Sequence, residues 1–299
     1  MNVRGLNERV ARASANSDSC TRLILAMLNI MLTAAAYAPD IESALQPHSS
    51  CGPASSYEKS SSKYTSQGGE DAFLDAKVFR QASDGVYLDI GCNDGIDGSN
   101  TWYFVQQGWR GSCIEADPMK FGQIARNSQR HDGVNVAVAA VDGTLDFERV
   151  SDPNGGLSGL PSAHFDKARA SGFQKTMIKV NASTPVSLLS RHYPTARAID
   201  YVSLDVEGSE LDVLQSWPFD GRWCVDAWTI ENNFWCNDGT ILPALTEMLG
   251  KQGYEYTGRI WVDEVFVRKQ PCEHGVRWKA DPRRGVPPGM VRRFLRVFE

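Results

Sequence analysis

The sequence lacks the excess of basic residues that a general nucleic-acid-binding protein needs. Its 299 residues include 31 Lys and Arg against 36 Asp and Glu, a formal net charge of -5. A surface with this balance does not attract a phosphate backbone, so we expect no nucleic-acid partner. The one basic segment is 271–299, which has seven basic and three acidic residues and is predicted to form a C-terminal tail.

The seven cysteines include no C-x-x-C pair and show no spacing typical of metal ligands, so no cysteine-based metal site is predicted. Cys92 and Cys113 fall in or beside predicted core strands, where a buried thiol behaves as a small hydrophobic group. Cys224 and Cys236 flank another predicted strand and could meet. Because an odd number of cysteines cannot pair completely, the sequence leaves the redox compartment open.

A hydrophobic run long enough to span a membrane comfortably is also missing. Leu23–Ala38 is apolar over 16 residues, which is shorter than a typical spanning helix. It suits either a signal anchor, with the Arg-rich residues before it in the cytoplasm, or a helix docked on the protein. We therefore assign 1–45 to a polar segment plus a candidate signal anchor, and 46–69, rich in Ser and Gly, to a linker. The sequence leaves two alternatives open for the location of the protein: the membrane or secretory pathway, and the cytoplasm.

The most informative stretch is Val86–Gly98, which reads VYLDIGCNDGIDG. An apolar run without helical period, followed at once by glycines, is typical of a buried parallel strand that ends in a tight loop. Asp89 is predicted at the carboxyl end of this strand, where open α/β sheets bind ligands, and Gly91 and Gly95 let the backbone approach a bound molecule. Asn93 replaces the second glycine of the dinucleotide fingerprint G-x-G-x-x-G. This favours S-adenosylmethionine, which has no pyrophosphate, although a structural turn is an alternative.

A second short strand within Gly111–Pro118 ends in Glu115, 24 residues beyond Gly91. An acid at about this distance ends the second strand of such folds and accepts hydrogen bonds from ribose hydroxyls. The alternative is that Glu115 only stabilises the start of a helix near Pro118.

Six segments in register resemble the FkbM-type family of S-adenosylmethionine-dependent methyltransferases. They are YLDIGCNDG, GSNT, GWRGSCIEADP, IDYVSLDVEGSELDVL, TIENN and DEVF, and the similarity covers about residues 64–267. The resemblance implies an α/β fold, the Rossmann-like class I methyltransferase fold, with a seven-stranded mixed sheet and helices on both faces, in a domain at 70–270. It also implies the cofactor S-adenosyl-L-methionine. The residues expected to bind this cofactor are Asp71, Asp89, Gly91, Asn93, Gly95, Glu115 and Ala139.

The middle of the domain carries two further expectations. Asn135–Val141 is predicted as the third strand, with Ala139 as an apolar contact for the adenine. Asp142–Gly143 is a hairpin signal before an extra strand at Leu145–Val150, so we interpret Asp142 as a turn residue.

The polar, glycine-rich stretch Ser151–Gly172 is long for a connection inside a compact domain, and such loops are usually functional or disordered. We expect it to cover the site or to bind the methyl acceptor, with Ser158 at its centre. His164 could act as a base there, although a single histidine in a loop is more often solvated.

Acids follow two later strands. Ile199–Leu214 is predicted as a central strand and the start of a helix, and Val225–Glu231 as the next strand. Because parallel strands end at the same edge of a sheet, the acids that end them are expected near Asp89. The predicted catalytic residues are Asp205, Glu207 and Glu231, and the predicted acceptor-binding residues are Ser158, Asn232 and Asn233.

The resemblance implies O-methylation of a hydroxyl on a carbohydrate or small polar metabolite, with Asp205 as the first candidate for the base. The acceptor class comes from the resemblance alone. Asp205, Glu207 and Asn232 could hold Mg²⁺ through oxygen ligands, but the resemblance does not require a metal and none is predicted. The alternatives are an inactive nucleotide-binding module tethered to a membrane and an NAD-dependent oxidoreductase. The expected partner is a small-molecule or glycan acceptor, and the oligomeric state stays open.

Overall fold

The computed structural model describes residues 56–59, 61–126, 130–151, 156–161, 173–196, 198–233 and 240–272. The strands among these residues are β1 (Val86–Ile90), β2 (Arg110–Glu115), β3 (Gly133–Asn135), β4 (Ala137–Val138), β5 (Gly143–Val150), β6 (Lys175–Ser183), β7 (Ala198–Leu204), β8 (Cys224–Glu231), β9 (Tyr254–Ile260) and β10 (Asp263–Arg268). Seven of them form one sheet in the order β3-β2-β1-β7-β8-β10-β9.

The seven-stranded sheet is mixed, as predicted. β3, β2, β1, β7 and β8 run parallel to one another, and β10 pairs antiparallel with both β8 and β9. The chain moves outward from β1 through β2 to β3 and later returns to place β7 on the other side of β1. Open α/β sheets bind ligands at such a point, outside the carboxyl ends of the strands.

Helices cover both faces of this sheet, which confirms the predicted fold class. They are α1 (Glu70–Phe73), which continues as a π-helix at Leu74–Val78, and α2 (Trp102–Gln106), α3 (Pro118–Arg126), α4 (Pro185–His192), α5 (Glu210–Gln215) and α6 (Leu242–Lys251). Leu88 belongs to a buried cluster with α4, α5 and α6, whereas Tyr87 belongs to a second cluster with α1 and α2. Successive strand residues point to opposite faces, so one apolar strand supplies both cores.

The predicted third strand differs from the structure. Asn135–Val141 is divided between β3 in the main sheet and β4 in a separate sheet of order β4-β6-β5. The predicted hairpin at Asp142–Gly143 is wrong, because β6 lies between β4 and β5. The Asp142 carboxylate instead accepts hydrogen bonds from Thr184 N at 2.7 Å and Ser187 Oγ at 2.8 Å, at the N-terminus of α4.

The packed domain extends N-terminal of the boundary predicted at residue 70. Tyr64 and Ser66, within the predicted linker, are buried, and Thr65 N donates to Asp71 Oδ2 at 2.7 Å. The candidate anchor Leu23–Ala38 and the basic segment 273–299 lie outside the described residues. Among the residues that are described, no helix has the length and hydrophobicity to cross a bilayer.

Gly91, directly after β1, packs closely against the backbone that follows β7. Its φ is +88°, and a Cβ atom built on it would lie 1.5 Å from the carbonyl oxygen of Asp205, just after β7. Asp205 N also donates to Ile90 O at 2.9 Å, which extends the β1–β7 pairing into the loops. Only glycine combines this φ with this approach.

We predict that Gly91→Ala lowers the free energy of unfolding by about 3 kcal/mol or more, because the methyl group meets backbone that cannot move without separating β1 from β7. Chemical denaturation measures the change. Gly250→Ala in α6 is the matched control: a Cβ there meets nothing within 4 Å, and helix propensity predicts a slightly more stable protein. Equal effects of the two substitutions would contradict this account.

Candidate functional site

A cavity of about 390 Å³ opens at the carboxyl ends of β1, β2, β7 and β8. Its volume is in the range of ordinary small-molecule sites. Asp89, Glu115 and Asp205, predicted from three different strands, all line it. The predicted site residues that line the cavity are Asp89, Gly91, Asn93, Glu115, Ser158, Asp205, Glu207, Glu231 and Asn233.

Glu115 connects the loops that follow β1 and β2. Its carboxylate accepts hydrogen bonds from Asn93 N at 2.9 Å and from Asp117 N at 2.7 Å, one at each oxygen. Burial, with the charges of Asp117 and Asp205 adding to it, raises the pKa of Glu115 to about 7. A carboxylate has about four acceptor positions, so Glu115 can still accept two hydrogen bonds from a ligand in the cavity.

Asp89 is held by a buried cation that the sequence analysis did not identify. Arg130 lies with its Nη2 3.5 Å from Asp89 Oδ2, which also accepts from Ser99 Oγ at 3.1 Å and Thr101 Oγ1 at 2.5 Å. Arg130 Nη1 donates to Gly95 O at 2.5 Å. A single arginine in a polar segment gives no sequence signal, because only the fold shows that it is buried.

Gly95 does not line the cavity, contrary to the prediction. A Cβ on Gly95 would lie 3.0 Å from Arg130 Cδ and 3.1 Å from Cys113 Sγ. Glycine is needed at this position because Arg130 and Cys113 pack against it. The loop after β1 still lines the cavity through Gly91 and Asn93.

A disulfide joins the β1 loop to β2, so the expectation of two buried thiols is wrong. Cys92, which lines the cavity, is bonded to Cys113, and their Cα atoms are 5.5 Å apart. A second disulfide links Cys224 to Cys272 rather than to Cys236, which lies outside the described residues. The first bond ends two residues before Glu115 and therefore restrains both loops that Glu115 connects.

Carboxylates converge where β7 and β8 end. Asp205, Glu231 and the first residue of α5, Glu210, each place one oxygen within 4.8 Å of the others. Burial, followed by the charges of Asp205 and Glu207, raises the pKa of Glu231 well above its usual range. Burial likewise raises the pKa of Asp205 to about 6. Glu207 lies beside this group and accepts from Asn233 Nδ2 at 3.5 Å.

Another part of the cavity lining is apolar, and most of its residues were not predicted. Ala139 packs in the cluster beneath the second sheet and does not line the cavity, whereas its neighbours Ala137 and Val138 do. The division of the predicted third strand into β3 and β4 causes this shift. The apolar lining residues from the second sheet and the segments near it are Ala137, Val138, Phe147, Leu157, Leu160 and Phe173.

Two further predicted residues lie outside the cavity lining. The Asp71 carboxylate is buried and accepts from three backbone amides, those of Thr65, Ser66 and Ala72, so it orders the segment next to Gln67, which does line the cavity. Asn232 is buried with its amide group donating to Glu264 Oε1 at 2.8 Å. Neither side chain is available to a ligand.

Several residues that line the cavity have strained backbone conformations. Among the described residues, five other than glycine have positive φ, and three of these line the cavity: Asn93, Glu207 and Trp261, at φ 53°, 59° and 53°. Such conformations are costly and occur preferentially at functional sites. Trp261, in the turn between β9 and β10, is 39% exposed and was not identified from sequence.

We predict that replacing Cys92 and Cys113 by Ser lowers the free energy of unfolding by about 3 kcal/mol, the value for a loop of this length. Urea denaturation measures the loss, and peptide mapping without reductant identifies the bond. The Cys224→Ser, Cys272→Ser pair closes a longer loop and is expected to cost about 4 kcal/mol. Labelling of Cys92 by a thiol reagent in denatured, unreduced protein would exclude the bond.

The comparison with protein families agrees with this geometry. The family model described as the methyltransferase FkbM domain matches residues 89–256, more than half of the chain. The match begins at Asp89 in β1 and includes Glu115 and the carboxylates after β7 and β8. A comparison with curated proteins finds no match. The chain thus belongs to the FkbM methyltransferase family, and its cavity is the candidate active site of a methyltransferase.

Proposed function

We propose that the protein transfers a methyl group from S-adenosylmethionine to a hydroxyl group on a carbohydrate or a small polar metabolite. The observation that carries the proposal is that one cavity is lined by apolar residues of β4 and the second sheet, by Glu115 at the end of β2 and by carboxylates at the ends of β7 and β8, in the strand order β3-β2-β1-β7-β8. This sequence of surfaces corresponds to adenine, ribose and the reacting centre.

The cofactor half of the cavity fits the chemistry of S-adenosylmethionine. The adenine would contact apolar residues such as Val138 and Phe147, and the two free acceptor positions of Glu115 suit the ribose hydroxyls. The acidic residues at the other end, with Asp89 among them, suit the ammonium group and the sulfonium. When bound, the cofactor supplies a methyl group that is already activated for displacement.

The acceptor half is formed by Asp205, Glu207, Glu231, Ser158 and Asn233, all of which line the cavity. Asp205 is the first candidate to receive the acceptor's hydroxyl proton while the oxygen forms its bond to the methyl carbon; the bond between that carbon and the donor sulfur would break in the same step, and S-adenosylhomocysteine would leave. Asn233 and Ser158 can hold other hydroxyls of a polar acceptor by hydrogen bonds. Holding the two reactants in line is the main contribution of the protein, since the donor needs no further activation.

The acidic lining also supports the choice of acceptor. Glu207 and Glu231 with Asp205 would repel a phosphodiester, so a neutral polyhydroxyl compound suits this surface better than nucleic acid.

The two disulfides favour folding in an oxidising compartment, because such bonds are rare in the cytosol of most organisms.

We predict that Glu115→Gln weakens S-adenosylmethionine binding by about tenfold or more, because a hydrogen bond to a charged group contributes about 1.5–3 kcal/mol. Isothermal titration calorimetry measures the dissociation constant. Asp146→Asn, which removes an exposed carboxylate on β5, is the control and should leave it unchanged. An unaltered affinity in Glu115→Gln would remove the residue from the binding site.

The binding should also depend on pH. The folded-state pKa of Glu115 is raised to about 7, so the carboxylate takes up a proton as the pH falls through neutrality. Since ribose hydroxyls bind the charged form, affinity should be complete well above pH 7 and fall about tenfold one unit below it. Titrations across this range test the effect, and Glu115→Gln should show a flatter profile.

For catalysis, we predict that Asp205→Asn lowers methyl transfer by about 100- to 10,000-fold, the usual contribution of a general base. Transfer of labelled methyl from S-adenosylmethionine to a library of glycans and polar metabolites provides the assay. Glu247→Gln, on the exposed side of α6, is the activity control. Bound cofactor without any labelled product in the wild-type protein would favour the inactive binding module instead.

A further inference from the structure

Three carboxylates form a compact group at the ends of β7 and β8. They belong to Asp205, Glu231 and Glu210, and one oxygen of each lies within 4.8 Å of the other two. Glu231 and Glu210 are 8% and 4% exposed, so two of the three side chains are more than nine-tenths buried. The group therefore brings up to three negative charges into a space that water reaches poorly.

The contacts of this group leave most of its charge uncompensated. Glu210 Oε1 accepts from two neutral backbone amides, Val206 N at 3.1 Å and Gly208 N at 3.0 Å. Asp205 Oδ1 is fully buried and has no hydrogen-bond partner. The Glu231 carboxyl shares a hydrogen bond with Asp205 and lies close enough to the carboxylates of Glu207 and Glu210 to be repelled by them.

In the described ranges of the chain, no basic side chain forms an ion pair with the group. The ion pairs among the described residues include none with Asp205, Glu210 or Glu231. Two other buried acids in this part of the fold form ion pairs. Asp89 pairs with Arg130, and Glu264 Oε1 lies 2.6 Å from Arg259 Nη2. Burying charge without a partner is expensive, so a group of this kind requires a cation or protons from elsewhere.

We propose that Asp205, Glu210 and Glu231 bind one hard divalent cation, Mg²⁺ or Mn²⁺. Oxygen-only ligands suit these ions. Oxygens around Mg²⁺ lie about 3 Å apart when adjacent and about 4.2 Å apart when opposite, and three oxygens that all lie within 4.8 Å of one another need only a small adjustment to reach such an arrangement. Asp205 and Glu231 line the cavity, whereas Glu210 does not. Three protein ligands leave coordination positions on the cavity side for water or for an acceptor hydroxyl.

The site differs from the Mg²⁺ set considered from sequence. Asn232 is committed to Glu264 and cannot be a ligand, and Glu210 takes the place that Glu207 had in that set. The consequence for catalysis rests on the proposed function: a cation at this position would lower the pKa of an acceptor hydroxyl and hold its oxygen beside the methyl group. Cation binding itself does not depend on that proposal.

The test is binding of Mn²⁺ to the full chain in the absence of S-adenosylmethionine, followed by electron paramagnetic resonance and calorimetry. We expect one site per chain, competition by Mg²⁺, and at least about tenfold weaker binding in Glu231→Gln and in Asp205→Asn. Asp146→Asn, which removes an exposed carboxylate far from these three in the chain, is the control and should bind as the wild type does. Circular dichroism establishes that each variant is folded.

Two results would overturn the proposal: no Mn²⁺ binding to the wild-type protein up to about 1 mM, where weak oxygen-ligand sites fill, or unchanged affinity in both folded variants. Calorimetry with S-adenosylmethionine after treatment with a chelator tests cofactor binding separately from cation binding. Cofactor binding without Mn²⁺ binding would remove only the cation site, and the reverse result would remove only the cofactor.

Discussion

The contact between the backbones of Gly91 and Asp205 holds the two halves of the main sheet together at the edge where the cavity opens. It places the loop after β1 against the residue that follows β7, at a distance that no Cβ atom allows. Residues of the first loop line the cavity, and so does Asp205. A change in this one contact would therefore alter the shape of the cavity.

Around this contact the protein buries many acids and compensates them unequally. Asp89 is paired with Arg130, and Glu115 is held by two backbone amides. These carboxylates organise loops. Asp205 and Glu231, in contrast, lack a counter-ion among the described residues. Burial raises the pKa of both, with the charge of Asp89 adding to it at Asp205 and the charge of Asp205 adding to it at Glu231. Perturbed acids of this kind collect at functional sites, which supports the proposal that this pair lies where the reaction takes place.

Much of this arrangement could be predicted because it depends on local patterns. The apolar strand before Gly91, the acid at Glu115 and the acids after β7 and β8 all lie at strand ends, and parallel strands end at one edge of a sheet. The errors arise where a residue's role depends on distant partners. Asn232 follows β8 as expected, yet its amide is committed to Glu264, 32 residues further along the chain.

The sequence by itself determined the strand and loop that begin the domain, the positions of the acids and the family, since these follow from short stretches of residues. Only the tertiary structure decided that Cys92 bonds to Cys113, that Arg130 neutralises Asp89, and that Ala137 and Val138 rather than Ala139 line the cavity. It also decided that Glu210 joins Asp205 and Glu231. The physical reason is that each of these outcomes needs close packing between segments far apart in sequence, and no local pattern records which segments will meet.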